Sequence, residues 1–191
     1  QTNTVLTLLR DRHQASIEFL LYPALDNLFG FDIQAPEGWN VNAIFDEGQN
    51  QLNYHETMDG EGVRRLHVRF PDRRAFGQLH RVTLVADRVP DGWLDNWNEY
   101  ALETPVFAVE DTYRNSGVIG IRAVERYQDV FGIRADRVEG AFPLAASDRM
   151  RALLSNPVAL AYQYDATDYT VSAVVERVPA LFASRLASFF D

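Results

Sequence analysis

Apolar and polar residues alternate along most of this chain, the signature of strands with one face buried and one wet. Val5, Thr7 and Leu9 alternate with Leu6, Leu8 and Arg10, and Ile17, Phe19 and Leu21 share a face opposite Glu18. Phe29, Phe31 and Ile33 alternate with Gly30, Asp32 and Gln34 before Pro36-Glu37-Gly38-Trp39 breaks the run. Proline and glycine supply turn geometry there, and Val41 and Ile44 resume an extended stretch. A short strand is expected around Leu52 and Tyr54, ended by the hairpin signal Met58-Asp59-Gly60-Glu61-Gly62, since Asp-Gly suits the positive φ angles of tight hairpins. Leu66, Val68 and Phe70 then point one way and Arg65, His67 and Arg69 the other; a loop from Pro71 to Gly77 leads into a strand from Leu79 to Ala86.

Residues Pro90 to Thr104 read as a long loop. Strands are expected again over Val106 to Tyr113, Val118 to Glu125 and Val130 to Arg134, then around Tyr162-Gln163-Tyr164 and over Tyr169 to Val175. One short helix is predicted near 146–154: Ser147 and Asp148 are possible N-caps, Met150, Leu153 and Leu154 follow at helical spacing, and Pro157 ends it. Many short strands with one short helix predict an all-β fold, a β-sandwich of immunoglobulin-like size or larger. It is either one large sandwich or two sandwich halves, 1–88 and 105–178, joined by a connecting loop at 89–104. The ending, with Leu181, Phe182, Leu186, Phe189 and Phe190, reads as a segment 179–191 leading to a following module.

Composition narrows the function classes. Hydrophobic residues make up 47% of the 191 positions, enough to build a core rather than a disordered chain. The net charge of −9 argues against nucleic acid, whose binding relies on Lys and Arg displacing counterions. Arg64, Arg65, Arg69, Arg73, Arg74 and Arg81 do cluster, and are expected to form a solvated face paired with carboxylates. The absence of cysteine removes disulfides and thiolate metal sites and leans towards the cell envelope. No apolar run reaches the ~18 residues of a membrane helix, and no stretch has the pattern of a signal peptide.

The order of these features resembles the repeated β-sandwich modules of large, uncharacterised bacterial envelope proteins. The phrases that carry the likeness are the turn Pro36-Glu37-Gly38-Trp39, the strand Leu66-His67-Val68-Arg69-Phe70 and the strand from Gln78 to Ala86. Val138-Glu139-Gly140-Ala141-Phe142-Pro143-Leu144 and the closing pair Leu160 to Asp165 and Tyr169 to Val171 complete it, over residues 15–178. The resemblance implies an extracytoplasmic module, in the periplasm or at the cell surface, of a multidomain protein with no known activity.

Chemistry is sparse. Of His13, His55, His67 and His80, only His67 and His80 are expected on adjacent strands, where they could meet with Asp87 or Glu61 as a third ligand; two exposed sheet residues is the plainer reading, and no metal site or cofactor is assigned. No Gly-x-Ser-x-Gly elbow or phosphate-cradling glycine loop occurs. Asp46, Glu47, Asp91, Asp95, Glu99 and Glu103 are the acids that a glycosidase-like pair would have to come from. Asp165 with Asp168, and Asp59 with Glu61, flank turns that could offer oxygens to calcium, though Asp is an ordinary turn former. The richest stretch is the loop with Trp93, Trp97 and Tyr100 beside Asp91, Asp95 and Glu99. Exposed aromatics there would stack on sugar rings with Asp95 accepting from hydroxyls; rings folded back would instead cap one end of the sandwich. The leading expectation is a non-catalytic structural or protein-interaction module whose partners are neighbouring domains or other proteins. A carbohydrate-binding sandwich using two coplanar, exposed rings of that loop comes next, and a hydrolase third.

Overall fold

A computed structural model describes residues 1–60, 62–124, 131–144, 158–166 and 168–177. Among them the chain is all-β, in three sheets. The largest is seven-stranded and uses β1 (Thr2–Leu8), β2 (His13–Leu21), β4 (Asn40–Asp46), β7 (His80–Arg88), β10 (Gly117–Ala123), β12 (Ala141–Pro143) and β13 (Leu160–Tyr164), in the order β12-β13-β10-β1-β2-β7-β4. A four-stranded sheet, β5-β6-β3-β9, combines β3 (Leu28–Ala35), β5 (Asn53–Met58), β6 (Arg64–Arg74) and β9 (Ala108–Val109). A three-stranded sheet, β11-β14-β8, combines β8 (Glu99–Glu103), β11 (Phe131–Glu139) and β14 (Thr170–Arg177). No helix among the described residues is long and apolar enough to cross a membrane.

Strands from both sides of the 89–104 segment lie in the seven-stranded sheet, so that segment does not divide the chain into separate sandwiches. The link is β1, which pairs antiparallel with β2 and parallel with β10, Thr2 opposite Gly117 and Leu8 opposite Ala123. A central strand needs cover on both faces. Leu6 and Leu8 enter the core, while Asn3 and Thr7 on the other face are buried under hydrogen bonds to Glu18 and from Arg122. Backbone approach at this joint is close. A Cβ at Gly117 would lie 1.7 Å from the Thr2 carbonyl oxygen and 2.6 Å from the Tyr164 hydroxyl, so no other residue fits.

One hydrophobic cluster draws on all three sheets. Phe19 of β2 meets Phe31 of β3 edge-on at 6.3 Å, and Phe31 meets Phe70 of β6 at 5.7 Å, which seats the four-stranded sheet on the large one. In β4, a bulge between Val41 and Ala43 shifts the register. That extra residue lets Val41 and Ile44 both face the core although they stand three apart.

Several expectations need correction. The 90–104 loop contains strand β8, whose acidic ends mask its apolar residue Leu102; it pairs with β14 as an edge. The strand expected over 106–113 shrinks to the two residues of β9, bridging only Ile33 and Gln34. The strand expected to end at Arg134 runs on to Glu139 as an exposed edge, where charged residues are tolerated. The short helix near 146–154 and the segment 179–191 lie outside the described residues.

Candidate functional site

The aromatic loop is built by consecutive tight turns after Pro90. Trp93 N–H donates to the Pro90 carbonyl and Asp95 N–H to that of Gly92, which has φ of +73°. These turns direct Trp93 inward, where its side chain is 0% exposed. Its indole N–H donates to the Leu9 carbonyl at 3.1 Å, and the Trp97 indole N–H to the Trp93 carbonyl at 2.8 Å. The Tyr100 hydroxyl donates to the Asp91 carbonyl at 3.0 Å. The polar tip of each ring is thus satisfied within the protein.

The rings form one cluster. Trp93 lies 4.9 Å from Trp97, 5.2 Å from Tyr100, 5.6 Å from Phe131 and 4.2 Å from His13, so it touches the large sheet through β2 and the three-stranded sheet through β8 and β11. Arg177 closes the outside. Its guanidinium lies 4.0 Å from the Trp97 ring centre and donates to the carbonyls of Asp95 and Trp93. The residues singled out from the sequence are therefore brought together, but as packing. Trp93 has no free face, the ring planes are tilted 39° to 89° from one another rather than coplanar, and Asp95 engages through its backbone while its side chain is exposed.

The histidines fall differently from expectation. His67 lies on β6 and His80 on β7, in different sheets, so they do not meet. His80 is buried with its Nε2 against the Ala75 carbonyl. His67 instead faces His55, its directly opposite partner on β5, with rings stacked at 4.6 Å. Asp32 sits opposite His67 on the other side, its carboxylate 2.8 Å from Nδ1, and the Thr57 hydroxyl lies 2.7 Å from Nε2. Sequence reasoning missed this row. Five residues separate Met58 from its partner Arg64, and counting outward from that pair places His55 opposite His67. The carboxylate–imidazole–hydroxyl chain has the connectivity of a hydrolytic triad, but it lies across an exposed sheet face rather than in a cleft.

The arginine cluster pairs largely as expected: Arg64 with Glu56, Arg65 with Asp59 and Glu110, Arg74 with Asp46 and Glu47, and Arg81 with Glu18. Asp46 is the most constrained carboxylate. Burial pushes its pKa up, but hydrogen bonds from the backbone and side chain of Asn50, from Arg74 and from the Gly48 N–H outweigh this and hold it below the usual range. Asp46 ends β4 and Glu47 follows it, whereas Glu99 and Glu103 belong to β8 in another sheet, so these acids do not form one facing pair. Asp59 is taken up by the Val63 N–H and Arg65, and Glu61 lies outside the described residues. Asp165 is exposed and 4.0 Å from Arg114. Among the described residues, no three His, Asp or Glu side chains converge to hold a metal ion.

An open recess of about 560 Å³ lies between the Pro36–Trp39 turn and the β5–β6 hairpin, lined by Gln34, Trp39, Met58, Val63 and Arg64 among others. Arg64 is already committed there, to the Trp39 carbonyl and through two bonds to Glu56.

No protein-family model matches this chain, and no curated protein matches it in sequence. Solved structures share its fold. An aminopeptidase N family protein from Idiomarina loihiensis aligns with a TM-score of 0.53 at 10% identity, over 92% of this chain and 29% of that one. Yeast LTA4 hydrolase in complex with bestatin aligns with a TM-score of 0.50 at 8% identity, over 90% of this chain and 28% of that one. At such identities the likeness is one of fold alone, and this chain spans less than a third of the length of either.

Proposed function

We propose that this chain is a non-catalytic structural or protein-interaction module of a larger extracytoplasmic protein. The observation that carries the reading is the asymmetry of coverage. Nearly the whole chain, 92%, aligns with only 29% of an aminopeptidase N family protein, so a fold of this kind stands there as part of a longer polypeptide. The aromatic loop supports it too, because Trp93, Trp97 and Tyr100 are spent on joining two sheets rather than offered to a sugar. The extracytoplasmic setting draws on the lack of cysteine and on the order of strand phrases resembling envelope modules.

The test is to fractionate the source cells and map the native polypeptide by peptide mass spectrometry. Peptides contiguous with Gln1 or Asp191, recovered from an envelope fraction, are expected. A free species of this length in the cytosol overturns the module reading, and turnover of aminoacyl-anilide substrates by the purified chain overturns its non-catalytic part.

A further inference from the structure

Two loops connect the seven-stranded sheet to the four-stranded one at the same end of the molecule. Residues 22–27 run from β2 to β3, and residues 75–79 run from β6 to β7. Strand register places them side by side: Leu21 is opposite His80, and Leu28 opposite Arg74. They are tied by the Gly77 N–H donating to the Pro23 carbonyl and the Phe76 N–H donating to the Asn27 side chain.

This end exposes Tyr22 (62%), Leu25 (88%), Phe29 (67%), Phe76 (59%) and Leu79 (58%). They are five of the ten large apolar side chains exposed among the described residues, gathered on two short loops and the start of β3 rather than scattered. Single exposed apolar residues are ordinary; a contiguous patch marks an interaction surface. Phe29 shows how the patch grows from the core. It shares a strand face with Phe31 and Ile33, which are packed inside, but the β3–β6 register breaks between Leu28 and Gly30, and Phe29 extends that face past the core's edge.

We propose that this apolar end is the interface of a two-fold dimer of the chain. With aromatic side chains presenting ~150–250 Å² each, the five residues expose on the order of 600 Å². Pro23, Ala24, Gly77 and Gln78 between them bring the surface close to the ~800 Å² per partner of a stable specific interface. The rim fits a copy of itself. Asp26, Asp72 and Arg73 are exposed and have no ion-pair partner among the described residues, and a mixed-sign rim is self-complementary under a two-fold axis. An anionic membrane suits it less, given these acids and a net charge of −9.

The inference rests on the interaction-module reading, and sedimentation velocity of the 191-residue chain across the micromolar range tests it separately. A concentration-dependent dimer is expected. Leu25→Asp with Phe76→Asp should raise its dissociation constant roughly 100-fold or more with an unchanged far-ultraviolet circular dichroism spectrum, while Tyr113→Asp, fully exposed and outside the patch, should leave it unchanged. A chain that stays monomeric at every concentration overturns the proposal, as does a dimer indifferent to the double substitution. A monomer that co-sediments with phosphatidylglycerol vesicles through Leu25 and Phe76 overturns it in favour of a lipid surface. A monomer found within a longer envelope polypeptide overturns the dimer alone and leaves the module reading standing.

Discussion

Replacing Trp93 by alanine removes the side chain on which two sheets meet. Its ring is wholly buried and packs against His13, Trp97, Tyr100 and Phe131, which belong to β2, the loop, β8 and β11. Truncating a buried Trp costs ~3–5 kcal/mol through lost transfer energy and the cavity left behind. The Leu9 carbonyl also loses its indole donor, an orphaned acceptor worth ~1 kcal/mol or more. The terms overlap, so about 4–5 kcal/mol is expected, a large share of the ~5–15 kcal/mol that holds a domain together.

Urea titration followed by far-ultraviolet circular dichroism reads this without relying on the fluorophore removed. Trp93→Phe keeps most of the ring and loses the hydrogen bond, and should cost ~1–2 kcal/mol. Trp97→Ala should fall between the two, since Trp97 is half-buried and held from outside by Arg177. A loss below ~1 kcal/mol for Trp93→Ala would refute the account of the loop as a packing joint. The rings would then be free for a ligand, and retention on insoluble polysaccharide would be the next measurement.

His13 gives a pH signature. Desolvation first, and then the Arg88 charge, lower its pKa to about 4, whereas in the unfolded chain it returns to ~6.5. Between those values the unfolded state binds a proton that the folded state refuses, so stability drops as pH falls through this window, by about 3 kcal/mol across it. His13→Phe should flatten that slope in urea midpoints measured between those pH values; an unchanged slope sinks the assignment. Asp46→Ala strips the acceptor from the N–H groups of Gly48 and Asn50 and from Arg74, and should cost ~2–3 kcal/mol in the same titration; a neutral result would mean the 46–50 loop holds itself. Gly117→Ala forces a Cβ into the Thr2 carbonyl and should destabilise by more than ~3 kcal/mol, visible as a lowered melting temperature.

What the sequence made legible was local. Alternation located β2, β3, β6 and β7, because each buries one face and sends polar residues to the other. The Asp-Gly signal located the β5–β6 hairpin but not its register, since five residues separate Met58 from Arg64 and the positive φ falls on Gly62 rather than Gly60. The parallel pairing of β1 with β10 joins residues about as far apart in sequence as Thr2 and Gly117, and no local pattern encodes it. The edge strands β8 and β11 were obscured by charges that an edge accepts freely. For Trp93 the composition could not decide between a ring facing solvent and one facing in; only the Leu9 carbonyl and the neighbouring rings, supplied by other strands, settle that direction. The His55–His67–Asp32 row was hidden because it spans three strands and needs two registers at once.

The two ends of the molecule treat aromatic residues in opposite ways. At the end of β2 marked by His13, Trp93, Trp97, Tyr100 and Phe131 turn inward, every indole and phenol hydrogen has a backbone acceptor, and Arg177 lies over the outer ring. At the end marked by Leu21, Tyr22, Phe29 and Phe76 turn outward. Both ends face the same physical problem, closing a gap between sheets where the ladder stops. One solves it with a loop long enough to fold back; the other is spanned by loops of only a few residues, too short to cover the rings they carry. A chain that buries its aromatics so completely at one end has the means to do so at the other. Leaving them bare is therefore a positive feature of the fold, and it is the observation from which the proposed two-fold contact at the Leu21 end is argued, rather than one at the tryptophan-rich loop that the sequence alone would single out.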